Sequence, residues 1–206
     1  MRLPRIKRPG AIYHIYNQGV NRADIFLDQE DPEFWLSLLR GTIHKFKTNV
    51  FCFVTMKNHF HCILQTTEPN ISDVMWYVGF FFALYMNKKY KRVGPLCRNR
   101  FQSQLIENIP YLRNAVCYIH NNPVEAGYIK NVCEKDPCIL TSFHCLSGRA
   151  DEYAWLSKEK LRDLLQIPGE KDFQQLIWQP IGRAVFKELT KIENISQKVL
   201  QKAQSA

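Results

Sequence analysis

The chain has 206 residues, enough for one domain, or one domain with an appendage, and for a core that needs no covalent staples. At 46% hydrophobic and 23% charged residues the composition is neither disordered nor fibrous, and the longest apolar run, VGFFFALYM (78–86), is too short to span a bilayer. The net charge of +9 is concentrated in residues 1–150, which hold 19 Lys and Arg against 11 Asp and Glu; that part of the molecule is suited to a polyanion, nucleic acid first. The basic start, MRLPRIKRPG, has no apolar stretch behind it and does not read as a secretory signal, so a cytoplasmic protein without a membrane partner is expected. The seven cysteines are odd in number and form no CxxC pair, which suits reduced thiols. A zinc site from Cys133, Cys138, His144 and Cys145 is the alternative, although its spacing matches no standard pattern.

In chain order, AIYHIYN (11–17) alternates and is rich in β-formers, so it predicts a strand, with QGVNRAD as the turn behind it. Asp31-Pro32-Glu33 predicts a helix start, and Phe34, Leu38, Leu39, Ile43 and Phe46 then recur at helical spacing. NVFCFVTM (49–56) and HFHCILQT (59–66) predict two strands joined by Lys57-Asn58 as a hairpin. A second helix is expected from Asn70 or Ser72 to about Tyr90, broken by Gly94-Pro95, and FQSQLIE (101–107) holds a short strand. Pro110 opens a third helix, expected to stop at Pro123 because the residue before a proline avoids the α region. The order β-α-β-β-α-β and then a helix predicts an α+β fold with a ferredoxin-like core and an antiparallel sheet. Residues 1–150 would form the catalytic domain. Residues 151–206, with Leu161, Leu164, Leu165, Ile177 and Phe186 at patchy helical spacing, would form a helical C-terminal appendage.

The chemistry centres on MKNHFHCIL (56–64). Side chains at i and i+2 of a strand share a face, so His59 and His61 project together and Phe60 points the opposite way, into a helix-packed core. Two imidazoles side by side suit a divalent metal but leave its coordination incomplete. The third helix, YLRNAVCYIHNNPVEAG (111–127), offers what is missing: Asn122 carries a carbonyl oxygen, and Tyr118 carries a phenol one turn earlier on the same face. Each feature alone has an ordinary structural reading. Together, and on the basic half of the chain, they point to phosphodiester transesterification, in which a tyrosine hydroxyl attacks a DNA phosphate. A free phenol ionises only near pH about 10, so a metal that polarises the phosphate would lower the barrier.

These residues resemble the single-tyrosine HUH transposases, and within them the REP-associated tyrosine transposases. The resemblance covers roughly residues 9–145. It rests on YHIYNQGVNRADIF, on His59-Phe60-His61 as the HUH triplet, on GPLCRNRFQSQLIE, and above all on YIHNNPVEAGYI. It implies a Mg²⁺ or Mn²⁺ ion and cleavage of single-stranded DNA beside a hairpin, with a 5′-phosphotyrosine link and a free 3′-hydroxyl. Carried over by position, it implies Tyr118 as nucleophile, ahead of Tyr111 and Tyr128, and His59, His61 and Asn122 as metal ligands. The chain departs from the pattern at Lys57, at Arg98-Asn99 and at Asn121, none of which removes a catalytic group. Arg5, Lys7 and Arg8 of the N-terminal arm, Arg22 after the first strand, and Arg98 and Arg100 before the fourth are the expected DNA-binding cations. Such contacts would position DNA without reading its sequence. The working unit could be a monomer or a homodimer. A relative that binds nucleic acid without cutting it is the rival reading.

Overall fold

The structure is a computed structural model that describes residues 5–178. Phe186 and the rest of the expected C-terminal helical stretch beyond Trp178 lie outside those residues. Four strands, β1 (Ile12–Gln18), β2 (Thr48–Met56), β3 (His59–Thr66) and β4 (Gln102–Ile106), form one sheet in the order β2-β3-β1-β4. Every neighbouring pair is antiparallel. With α1 (Glu30–Phe46) and α2 (Ile71–Lys89) between them, this is the expected ferredoxin-like arrangement.

The alternation of side chains divides the sheet into two cores. Tyr13, Ile15, Phe60, Cys62 and Leu64 point to the face covered by α1 and α2. There Phe60 meets Trp35, ring centroids 4.5 Å apart, as the two-residue period predicts. Burying one such aromatic contributes about 2 kcal/mol. On the opposite face, Cys52, Val54, Met56 and Ile63 meet α3 (Ile109–Glu125). A register shift between Val50 and Cys52 lets Phe51 and Cys52 both serve this second core.

The lower part of α1 is tied down by charge. Asp31 is fully buried and accepts hydrogen bonds from the Leu27 and Asp28 amides and from Tyr90, while Lys89 donates to Asp28, Glu30 and Asp31. The Lys89 ammonium holds the Asp28 carboxyl down at about 2. α1 therefore begins at Glu30, one residue before the expected Asp31, whose carboxylate turns back to organise the preceding loop.

The expected stop of the third helix at Pro123 is corrected by the structure. α3 continues to Glu125, and the chain turns only at Gly127, where φ is +75°. A proline lacks one donor, but the last turn closes around it through Ala126 N–H to Asn122 O and Tyr128 N–H to Pro123 O. After it come the short α4 (Phe143–Leu146), then α5 (Lys158–Leu165) and α6 (Glu170–Ile177). Leu161, Leu165, Phe173, Leu176 and Ile177 join Val116, Cys117 and Ile119 in the second core. The Asn121 amide donates to the Ile177 carbonyl at 2.8 Å, and Arg113 donates to the Leu165 carbonyl. α3 is thus held on the sheet by α5 and α6 from its other side. Cys52, Cys62, Cys117 and Cys145 are buried, and burial pushes the Cys117 thiol up to about 12. No described helix is long and apolar enough to cross a membrane.

Candidate active site

The HUH strand β3 is a central strand, and α3 crosses the face that carries its histidines. His61 is buried beneath α3, while His59, at the start of the strand, stays half-buried at the rim. Tyr118 stands edge-on to His61, with ring centroids 5.6 Å apart and planes at 90°. His59, His61 and Tyr118 line one cleft of about 500 Å³ together with Tyr16, Asn17, Gln18, Arg98, Asn99 and Gln102. Tyr118 follows His61 by 57 residues in the sequence, and the packing of α3 on β3 brings the two to one surface.

Asn122 lies one turn below Tyr118, buried, with its amide 3.4 Å from His61 Nε2. Its carbonyl Oδ1 is buried and has no hydrogen-bond partner, a condition that costs about 1–3 kcal/mol for an amide oxygen left without a ligand. Turning this amide over brings Oδ1 towards His61 Nε2.

The histidine tautomers follow from their neighbours. Asn58 donates through Nδ2 to the Arg22 carbonyl at 3.2 Å, so its Oδ1 is the atom that faces His59 Nδ1 at 2.6 Å. An amide oxygen only accepts, hence His59 carries its proton on Nδ1 and its lone pair on Nε2. The same Asn58 bond secures Arg22, which sits at φ +60° beside Asn21 at +53° in the turn after β1. Gly19 is required at the start of that turn, because a Cβ there would meet the Ala23 carbonyl oxygen at 2.1 Å.

His61 Nδ1 lies 3.0 Å from Nε2 of His14, a β1 residue on the same face of the sheet. Burial lowers the His14 pKa to about 3, so the ring is neutral at physiological pH. For His61 to present its lone pair at Nε2, beside Asn122, its proton sits on Nδ1 and is donated to His14. The β1–β3 register sets Tyr16 directly opposite His61, and Tyr16 stacks on it at 5.5 Å. Sequence reasoning missed both His14 and Tyr16. The signal was present in AIYHIYN: Tyr13 and Ile15 take the core-facing positions, which leaves His14 and Tyr16 on the HUH face. His120, although between Tyr118 and Asn122 in sequence, faces away from the cleft; its ring bonds the Val116 carbonyl and Ser142. Burial lowers its pKa to about 4.

Among the described residues no three His, Cys, Asp or Glu side chains converge to hold a metal ion. A metal ion at His59 and His61 would need a third ligand of another type, and the unbonded amide oxygen of Asn122 is a hard donor of the right kind. The residues present fit a divalent ion held by two imidazoles and one carbonyl, with remaining positions for phosphate oxygens.

The expected DNA-binding cations separate into three groups. Arg98 lines the cleft itself. Arg22, Arg100 and Lys7 are exposed outside its lining. Arg5 stacks 3.8 Å over the Phe101 ring and donates to its carbonyl, and Arg8 pairs with Glu107, so the described part of the N-terminal arm is laid against β4.

An antiparallel four-stranded α+β fold with a histidine pair, a tyrosine and an arginine on one cleft defines a class of DNA-processing proteins. The family model for IS200-like transposases matches residues 8–122, more than half the chain, and the chain belongs to this family of single-tyrosine HUH transposases. Among solved structures it is similar to a REP-associated tyrosine transposase bound to a REP hairpin, with 19% identity, TM-score 0.61, and coverage of 72% of this chain and 86% of that one. It also matches a Deinococcus radiodurans protein described as a transposase, at 17% identity and TM-score 0.41, over 63% of this chain and 96% of that one. No curated protein matches.

Proposed function

We propose that this transposase cuts and rejoins single-stranded DNA beside a hairpin, with Tyr118 as the nucleophile. The observation that carries the reading is the convergence of Tyr118, His59 and His61 on one cleft, with the Asn122 amide nitrogen against His61 and its carbonyl oxygen left without a hydrogen-bond partner. The hairpin as substrate is supported by the ligand of the similar solved structure.

In the cut, Tyr118 Oη bonds to the scissile phosphorus, and the bond from phosphorus to the 3′ oxygen breaks. The phenolic proton is lost, the 3′ oxygen leaves and is protonated, and a 5′-phosphotyrosine remains. Rejoining is the reverse with a 3′-hydroxyl as attacker, so no nucleotide cofactor is consumed. A divalent ion, Mg²⁺ or Mn²⁺, held by His59, His61 and Asn122 would supply charge to the phosphate oxygens and the leaving oxygen. The chain's own residues do the rest. α3 fixes the phenol above the sheet, His14 and Asn58 set the proton positions of His61 and His59, and Arg98 at the rim neutralises the strand backbone.

The test is an adduct assay. The protein is incubated with a library of single-stranded hairpin DNAs and Mg²⁺ or Mn²⁺, denatured, and searched for a covalent band mapped by mass spectrometry. A metal-dependent adduct on Tyr118 is expected. Binding across the library with no adduct would favour a binding protein on the same fold, and an adduct on Tyr111 or Tyr128 would overturn the choice of nucleophile.

A further inference from the structure

A second cavity of about 990 Å³ lies along α1 and shares no residue with the cleft at Tyr118. Glu33, Leu36, Ser37, Arg40, Gly41 and His44 recur every three or four residues, so they share one side of the helix and form one wall of a groove. The opposite wall is the segment 134–141 that follows α3, and Glu152, Tyr153 and Trp155 complete the lining. From Glu33 to His44 the helix rises about 16 Å, the reach of an extended segment of about five residues.

The charge of the groove runs against that of the chain. Four carboxylates line it, Glu33, Glu134, Asp136 and Glu152, against the two cations Arg40 and Lys135, so it carries a net −2 in a chain of +9. Lys135 is already paired with Glu152 at 3.0 Å. The other three carboxylates accept, among the described residues, only from neutral groups: Glu33 from the Gln29 amide, Glu134 from the Lys130 N–H and Asp136 from the Cys138 N–H.

His144 supplies a second, independent sign. It lines the groove and is 8% exposed, and its Nε2 is buried without a hydrogen-bond partner. Burial, and then the positive charges of Lys135 and Arg149, lower its pKa, so the ring is neutral at physiological pH and keeps a lone pair for a donor. A buried polar atom in that state is costly until a ligand supplies the missing partner.

These features select the ligand. The net negative charge disfavours nucleic acid, and among the described residues no three His, Cys, Asp or Glu side chains converge on a divalent ion. A guanidinium meets every feature of the lining. It lies flat against an aromatic ring such as the half-buried Tyr153 or Trp155, donates in pairs to carboxylates and donates to a neutral imidazole. A lysine ammonium is a point charge without the flat face or the paired donors.

We propose that the groove between α1 and residues 134–155 is a docking site for an arginine-bearing segment of a partner protein, with Glu33, Glu134, Asp136 and His144 as the groups that receive its guanidinium donors. Because the groove and the cleft share no residue, the proposal does not depend on the chemistry at Tyr118.

The experiment is a fluorescence-anisotropy titration of the full chain, without DNA, into a labelled glycine–serine peptide bearing two arginines. The net charge of +9 repels such a peptide from the rest of the surface, so binding reports the groove. Saturable binding below about 1 mM is expected, with the lysine version of the peptide at least about tenfold weaker. Glu33→Gln combined with Asp136→Asn keeps the neutral hydrogen bonds of both side chains and removes their charge. It should weaken the arginine peptide at least about tenfold while the thermal midpoint and the Tyr118 adduct yield stay unchanged. His144→Phe should weaken it by a smaller factor. Absence of binding at about 1 mM overturns the proposal. Equal binding of the lysine peptide, or of spermine, overturns it in favour of a site for any polycation. An arginine peptide that binds the double variant as tightly as the wild type overturns it equally.

Discussion

Replacing His14 with phenylalanine tests whether the buried histidine pair serves the metal. The ring volume is nearly kept and packing against Tyr16 can persist, but the acceptor 3.0 Å from His61 Nδ1 is lost. Two costs follow. The neutral hydrogen bond contributes about 1 kcal/mol to folding. More specifically, His61 is no longer held in the tautomer that presents Nε2 towards Asn122. Loss of an outer partner of a metal-bound histidine typically costs about 10–100-fold in metal affinity, or about 1.4–2.7 kcal/mol. The assay is a Mn²⁺ titration followed by electron paramagnetic resonance, with a thermal melt of each variant alongside. His14→Phe should bind Mn²⁺ at least about tenfold more weakly while remaining folded. His14→Gln, which restores an acceptor oxygen, should recover much of the loss. Equal Mn²⁺ affinity in the folded phenylalanine variant and the wild type would refute the tautomer argument.

Tyr118→Phe should keep the fold and hairpin binding, and its covalent adduct should fall below detection on a denaturing gel. Asn122→Leu should lower Mn²⁺ affinity with little loss of stability, since it removes a buried oxygen that lacks a partner; Asn122→Asp should retain binding, and calorimetric titration of the three proteins checks the order. Lys89→Met should destabilise the fold by about 3 kcal/mol, because it leaves the fully buried Asp31 carboxylate without its cation; that is a fall of about 6–12 °C in the thermal midpoint. The same variant should lose acid resistance. Asp28 is held at about 2 by Lys89, so its contribution is present above the ordinary carboxylate range near 3.8 and is lost as pH falls towards about 2; without Lys89 that protection disappears, and melts between pH 5 and 2 would show it.

The strands and the ferredoxin-like order were legible because their signals are local. Strict alternation in AIYHIYN and HFHCILQT, a two-residue hairpin, and proline at a helix start each speak within a few residues. Two things were not legible for opposite reasons. The end of α3 was misjudged because a local rule was applied where tertiary packing overrides it: Asn121 bonds Ile177, Arg113 bonds Leu165, and the helix is held through Pro123 to Glu125 by neighbours 56 and 52 residues away. His14 was missed because its meaning depends on register. Nothing in AIYHIYN says which strand will lie beside it, and only the pairing of Tyr16 with His61 brings the His14 ring to His61 Nδ1.

The same register explains why the site is divided between rigid and accessible parts. His61 and Asn122 are buried, one on a central strand and one on a helix packed from both sides, so their mutual position is set by the whole core. His59 starts β3 and Arg98 lies in the loop before β4, and Tyr118 lies at the edge of the second core, where the cleft opens. A group that must hold an ion gains from burial, because a preformed geometry is not lost to solvent or side-chain motion. The role proposed for Tyr118, to reach a strand backbone, carry it covalently and return it, calls for an open side. The spacing of Tyr118 and Asn122 by one helical turn satisfies both demands with a single element: α3 drives the amide into the sheet and leaves the phenol at the cleft. A shift of α3 by one residue would rotate both groups by about 100° away from His61. The polar Asn121, which ties α3 to α6, is therefore part of how the site keeps its register, and Asn121→Leu should lower adduct formation more than its effect on global stability accounts for.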